Sequence, residues 1–266
     1  MRSIYTSENP QRLDAENLEH AYIVGLFEGD GYFSVNKKGK YLTYEIGIEL
    51  SINDRQLIYN IKNLLGVGVI YFREKREMVA LRIRNKEHLK KYIVPIFDKY
   101  PMFSNKQYDY LRFRNALFSN VIYHIELPKY IRSNIHLNTV DFIINASYFS
   151  AWLVGFIEAE GCFSVYNLKN NNDYPVGSFD IAQTEGEILI QAIRNYLLFT
   201  TIVYKDKTNC YKLKVTGVKS INNIINFLDK APVKLKGNKK LQYIIWINKL
   251  REIPRYNKNI NLPSNY

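Results

Sequence analysis

Cysteine and histidine are scarce in this chain. Cys162 and Cys210 are its only thiols in 266 residues, and its four histidines (His20, His88, His124, His136) are scattered. That excludes a disulfide framework, a cysteine-rich zinc site and an H-E-x-x-H metal motif. Long apolar runs are missing too: the longest, residues 151–157, is too short to span a bilayer and ends at Glu158. No membrane partner is therefore expected. The N-terminal MRSIYTSENPQRLDAENLEH lacks the apolar core of an export signal. It also carries Glu8, Asp14, Glu16 and Glu19, where an organellar transit peptide would be poor in acids. The expectation is a soluble protein made where it works, or carried there with a partner.

Acids are outnumbered as well. Lys and Arg total 37 against 25 Asp and Glu, a net charge of +12. A 47% hydrophobic content is enough for a packed core. The excess of cations fits a polyanionic partner, nucleic acid before an acidic membrane surface.

The chain repeats itself. Residues 21–35 read AYIVGLFEGDGYFSV and residues 151–165 read AWLVGFIEAEGCFSV, eight of 15 positions identical. Further downstream, Arg82 and Arg84 in LRIR pair with Lys212 and Lys214 in YKLKV at the same offset of 130, and Asn105-Lys106 echoes Asn238-Lys239. Each half carries a net +6 when the chain is divided after residue 137. Duplication of one unit is the reading.

Within each half the patterns predict helices at 18–29 and 148–159, then strands at 32–36 with 42–52 and 162–167 with 176–183. Helices at 54–65 and 186–198 follow, then strands at 67–73 with 78–84 and 201–205 with 210–216. Helices at 87–98 with 106–118 and 218–229 with 239–251 close the units. The fold class expected is α+β, an αββαββα domain duplicated about a pseudo-two-fold axis. Its antiparallel sheets would form a DNA-binding saddle. The domains would span 1–122 and 148–266, joined by a linker at 123–147.

The repeated motif carries the chemistry. Gly25 and Gly29, like Gly155 and Ala159, sit four residues apart on one helix face, where small side chains let two backbones approach closely. Packing along those faces would bring Asp30 and Glu160 side by side at two helix C-termini. Two carboxylates at the negative ends of helix dipoles are unfavourable without a cation. Joined by carbonyl oxygens such as those of Gly29 and Ala159, they make a hard-oxygen site suited to Mg²⁺. A single Glu-x-Asp-Gly at a helix end is usually a glycine cap with solvated acids; the second copy reverses that reading. Glu28 and Glu158 are assigned a structural role near the helix interface.

The basic partners lie on strands. In residues 78–84 apolar Val79, Leu81 and Ile83 alternate with Ala80, Arg82 and Arg84, and Lys212 and Lys214 alternate likewise in 211–215. One basic, open face per half is expected, extended by Arg73, Lys75, Lys205 and Lys207 and shaped to enter a major groove.

These motifs resemble those of the LAGLIDADG homing endonucleases in their single-chain, two-motif form. The stretches YLTYEIGIELSI, MVALRIR, YPMFSNKQYDYLRFRNAL, YFSAWLVGFIEAEGCFSVY and TNCYKLKVT look most like endonuclease-maturases of fungal mitochondrial cytochrome b group I introns. The resemblance implies metal-dependent double-strand cleavage of a long, asymmetric DNA site across the minor groove, promoting intron mobility. Asp30 and Glu160 would bind Mg²⁺ (Mn²⁺ substituting), assisted by backbone oxygens of Gly29 and Ala159. Lys239 and Lys106 would be active-site lysines, and Gln183 would organise solvent, with Ser51 as its counterpart by local offset. A monomer working in the mitochondrion is implied. Binding of the host intron RNA, as a splicing cofactor with weak or lost cleavage, is the alternative, and a DNA-binding regulator is a third reading.

Overall fold

The computed structural model describes residues 10–119, 121–133, 135–168 and 174–264, with side chains from Leu18 onward. The first nine residues, Glu8 among them, lie outside the described residues. The first half runs α1 (Pro10–Asp30), β1 (Gly31–Lys38), β2 (Tyr41–Ser51), α2 (Arg55–Leu65), β3 (Val69–Arg73) and β4 (Met78–Ile83). The helix expected at 87–98 is broken into α3 (Lys86–His88), a π-helical turn (Leu89–Ile93) and α4 (Val94–Lys99), which carries a proline in its first turn. α5 (Lys106–Phe118) closes the unit.

The second half repeats the order with α7 (Phe149–Glu160), β5 (Cys162–Leu168), β6 (Tyr174–Thr184), α8 (Glu187–Tyr196), β7 (Tyr204–Lys205), β8 (Cys210–Val215), α9 (Val218–Lys230) and α10 (Asn238–Glu252). Two antiparallel sheets result, ordered β1-β2-β4-β3 and β5-β6-β8-β7. Period-two alternation puts Phe33, Tyr44, Ile46, Ile48, Val79, Leu81 and Ile83 on the inner face of the first sheet. Phe33 packs among Phe97, Tyr110 and Phe113, and its counterpart Phe163 among Phe179, Tyr243 and Trp246.

The connection between the halves is more ordered than a linker. Leu42 donates to the Ile122 carbonyl and His124 to that of Lys40, so this strip extends the β1–β2 hairpin. Asp109 then holds Tyr130 and Arg132, and α6 (Val140–Ile144) packs on α8. Asn134 in this segment lies outside the described residues.

Like α6, a second helix was not anticipated. α11 (Pro254–Asn257) brings Tyr256 into the second core, where its hydroxyl donates to the carbonyls of Gly177 and Thr216. In the first half the equivalent strand position is Tyr44 itself, whose hydroxyl donates to Ala116 and Val121 carbonyls. Gly177 leaves that space open: a Cβ there would lie 2.3 Å from Leu250 Cδ2. The added helix fills the space with a ring from elsewhere.

Candidate active site and nucleic-acid interface

The site begins where α1 and α7 cross. Their packing is the most extensive between any two helices, and it depends on glycine. A Cβ on Gly25 would lie 1.9 Å from the Trp152 carbonyl oxygen, and one on Gly155 equally close to that of Tyr22. A Cβ on Gly29 would lie 2.3 Å from that of Ala159 and 3.2 Å from Glu160 Cγ. The backbones therefore touch, and Asp30 and Glu160, each the last residue of its helix, meet at the seam.

Two buried glutamates fix this crossing. Glu28 accepts from the Phe103 and Ser104 amides and from Trp152 Nε1 (2.9 Å) of the other half. Glu158 accepts from the Lys236 and Gly237 amides (2.7 and 3.0 Å) and from the Tyr22 hydroxyl (3.0 Å), again across the seam. Each glutamate thus ties the other half's helix to the loop preceding α5 or α10, the helices that present Lys106 and Lys239. The structural role assigned to both from the sequence is met by these bonds.

The lysines flank the acids. Lys106 Nζ donates to the carbonyls of Phe27 (3.2 Å), Gly29 (2.8 Å) and Gly31 (2.8 Å), whereas among the described residues Lys239 Nζ reaches only that of Gly161 (2.6 Å). Burial pushes the Lys106 ammonium down, countered by Glu28, Glu160 and Asp30. Burial raises both terminal carboxyls; Lys106 and Lys239 pull each back, while Asp30 raises Glu160 and Asp54 raises Asp30. Carboxylates crowded at two helix C-termini form a site short of positive charge.

Among the described residues no group of three His, Cys, Asp or Glu side chains forms a metal cage. The donor set present is two carboxylates plus helix-terminal carbonyls, hard oxygens that suit an ion retaining waters. Beside it lies a cavity of about 230 Å³ lined by Asp30, Leu50, Ser51, Asp54, Lys239 and Gln242, among others.

Strand register corrects two of the expected equivalences. Phe33 faces Ile46, and Phe163 faces Phe179. The β1–β2 turn is two residues, but β5 and β6 are joined by five, so the correspondence moves by three residues along the second strand. Gln183 therefore matches Leu50, and Ser51 matches Thr184. Gln183 lies on the inner side of its strand with Oε1 buried and unbonded. By the same logic Gly47 faces Arg82 and Asp180 faces Lys214. Arg82 thus matches Lys214, Ala80 matches Lys212, and Arg84 falls opposite Thr216. The 130-residue offset failed here because it was carried past a loop of different length.

The expected open basic faces are corrected as well. Arg73, Arg82 and Arg84 do share the outer face of the first sheet, yet Glu45 and Glu49 of β2 share it too. Arg82 lies within 3.8 Å of Glu45 and 3.7 Å of Glu49, over the Tyr71 ring; Arg73 pairs with Glu49 at 3.3 Å and Arg84 with Glu45. Ala80 is buried. On the second sheet Lys212 pairs with Asp206 at 2.7 Å and Lys214 with Asp180 at 3.6 Å. Lys75 and Lys207 are exposed in the two hairpin turns, and Lys205 sits over Tyr211. The alternation of Glu45, Gly47 and Glu49 in YLTYEIGIELS was the signal that could have shown the acids. Asp54 had no such signal. Its Oδ1 accepts from the Asn238 amide at 2.6 Å, so a first-half residue caps the helix bearing Lys239.

Known proteins place this geometry. The chain is 27% identical to the probable intron-encoded endonuclease Cox1-I1b of Schizosaccharomyces pombe, over 95% of this chain and 68% of that one. It is 30% identical to the uncharacterized mitochondrial protein RF1 of Saccharomyces cerevisiae, over 70% of this chain and 40% of the other. The crystal structure of the I-LtrWI LAGLIDADG homing endonuclease bound to target DNA superposes with a TM-score of 0.72 at 25% identity, covering 92% and 96% of the two chains. The sequence pattern of the LAGLIDADG endonucleases matches twice, at residues 23–117 and 153–250, once in each half. The chain belongs to the LAGLIDADG endonuclease family, as a homing endonuclease with both copies of the motif on one chain.

Proposed function

We propose that this chain, as a monomer, binds one long asymmetric DNA duplex across both sheets and hydrolyses a phosphodiester on each strand, using a divalent cation that Asp30 and Glu160 would hold. The meeting of two equivalent acids at the touching ends of α1 and α7 carries this reading. Asp30 and Glu160 would hold Mg²⁺ or Mn²⁺, with the Gly29 and Ala159 carbonyls beside them. When bound, that ion supplies charge neutralisation at the phosphate and a more acidic water.

The rest falls to the chain. Lys106 and Lys239 bring one ammonium to each side of the seam, where charge builds on a phosphate under attack. Glu28 and Glu158 hold those lysines' helices against the opposite half. Gln183 has a buried, unbonded amide oxygen that would accept from an ordered water on one side only, because its counterpart is Leu50. The two halves' outer sheet faces, with Lys75, Lys207 and the cations between them, carry phosphate and base contacts. The protein works in the mitochondrion in this reading, supported by the mitochondrial relative.

A plasmid carrying the intron-free junction of the host gene tests the proposal. Linear product should form with Mg²⁺ and vanish with EDTA. Asp30→Asn and Glu160→Gln should each abolish double-strand cleavage while keeping or strengthening DNA binding, since a negative charge facing phosphate is removed. Near-wild-type cleavage by either variant would sink the metal assignment.

A further inference from the structure

The edge strands β3 and β7, with the residues that lead into β7, carry exposed apolar side chains at corresponding positions. Val69 faces Arg82 and Tyr71 faces Ala80; Tyr204 faces Lys212, the counterpart of Ala80. Tyr71 therefore matches Tyr204, and Val69 matches Ile202. Inward-facing Ile70 and Val203 pack on the core between them, which fixes the alternation. Exposure is 54% for Val69 and 38% for Tyr71, and 79% for Ile202 and 63% for Tyr204.

Single exposed apolar residues need no explanation, and β-branched residues favour strands. An edge strand, however, is ordinarily guarded by charge on its outward positions. Here Val69 on β3 and Ile202 in the segment leading into β7 are exposed β-branched aliphatics, each two residues before a tyrosine. Their neighbours meanwhile diverged: Ala80 against Lys212, Gly47 against Asp180. Tyr71 carries Arg82 on its ring, but among the described residues neither Val69 nor Ile202 belongs to the hydrophobic core.

The cations around them are paired with acids yet outnumber them, Arg73, Arg82 and Arg84 against Glu45 and Glu49 on the first sheet. The chain as a whole carries +12, so a polyanion is the occupant that charge favours. An aliphatic branch has no use for a phosphate. The one apolar group at base edges in the major groove is the thymine 5-methyl. Resting on the DNA-binding reading above, we propose that Val69 and Ile202 are specificity residues, each seated against a thymine 5-methyl group, one in each half-site.

The test compares two randomised duplex pools, one amplified with dTTP and one with dUTP, selected for binding to the full-length protein. Wild type should enrich thymine at one position per half-site, and uracil at those positions should lose about fourfold, the value of one buried methyl. Positions read through hydrogen bonds should be enriched equally in both pools. Val69→Ala should erase the thymine preference in one half only, and Ile202→Ala in the other. Both sites are exposed, so the variants should keep wild-type melting temperatures. Equal enrichment of uracil and thymine overturns the inference while leaving DNA recognition intact. No enrichment at any position overturns the DNA-binding reading itself. Self-association of the wild type that either variant abolishes would assign these side chains to a second copy of the chain instead.

Discussion

The two halves share a seam and differ in almost everything that faces outward from it. At the seam the match is residue for residue: Gly25 with Gly155, Glu28 with Glu158, Asp30 with Glu160. Beside and beyond these positions, the first half fixes its charges and the second leaves them looser. Lys106 grips three carbonyls where Lys239 grips one. Arg82 keeps only 18% of its side chain exposed between Glu45 and Glu49, against 50% for Lys214 beside Asp180. Touching backbones tolerate no added atom, whereas a solvent-facing pair can be exchanged at a cost near zero. An asymmetric substrate can be read by halves that differ in this way around one symmetric seam.

The largest expected break in the comparison is at the lysines. Lys239→Met should slow cleavage on the order of 10²-fold if it stabilises transition-state charge, with melting little changed. Lys106→Met should lower cleavage and the melting temperature together, because the carbonyls of Phe27, Gly29 and Gly31 lose a donor. Strand-resolved nicking kinetics alongside thermal melts separate the two. Equal losses of stability would show that the extra bonds of Lys106 contribute nothing.

Next comes the cap that crosses the seam. Asp54→Ala should destabilise the chain by about 1 kcal/mol, the usual value of a helix cap, and should slow the Lys239-side strand more than the other. Asp54→Asn keeps an acceptor and should restore most of both. In the first half Ser104 Oγ meets the Lys106 amide at 3.3 Å from the same loop, so Ser104→Ala should cost less. Smaller again is the solvent position. Gln183→Leu makes the halves alike there and should shift the ratio of the two nicking rates by about tenfold, as loss of a polar supporting group does. An unchanged ratio would remove Gln183 from the chemistry.

Much of this architecture was legible because the motif is duplicated. Small residues four apart, twice, implied a close helix crossing, and that put the two acids together. Period-two and helical spacing located the strands and most helices within a few residues. What failed had non-local causes. A hairpin loop three residues longer displaced Gln183 from Ser51 onto Leu50, which similarity of short strings cannot register. The pairing of Arg82 with Glu45 and Glu49 depends on which strands neighbour one another, since β2 lies beside β4. Asp54 capping α10 and Tyr256 standing in for Tyr44 join residues far apart in sequence, with no local pattern to mark them.

The smallest expected effect tests the outward contrast itself. Lys212 is half exposed and its partner Asp206 is a single surface acid, so its ammonium can leave that pair for a phosphate at little cost. Lys212→Ala should then reduce the slope of log affinity against log salt by about one unit without altering base preference. Arg82 is held by two carboxylates and the face of Tyr71, with little freedom to follow a phosphate. A guanidinium fixed in this way suits the edge of a guanine, where direction matters more than charge. Arg82→Ala should leave the salt slope nearly unchanged and relax preference at one base position. Binding titrations across a salt series, on matched and singly mismatched duplexes, read both quantities at once. If the two variants flatten the slope equally, the ion pairs of the first sheet open on DNA as readily as those of the second. The halves would then differ in register and not in how tightly they hold their charges.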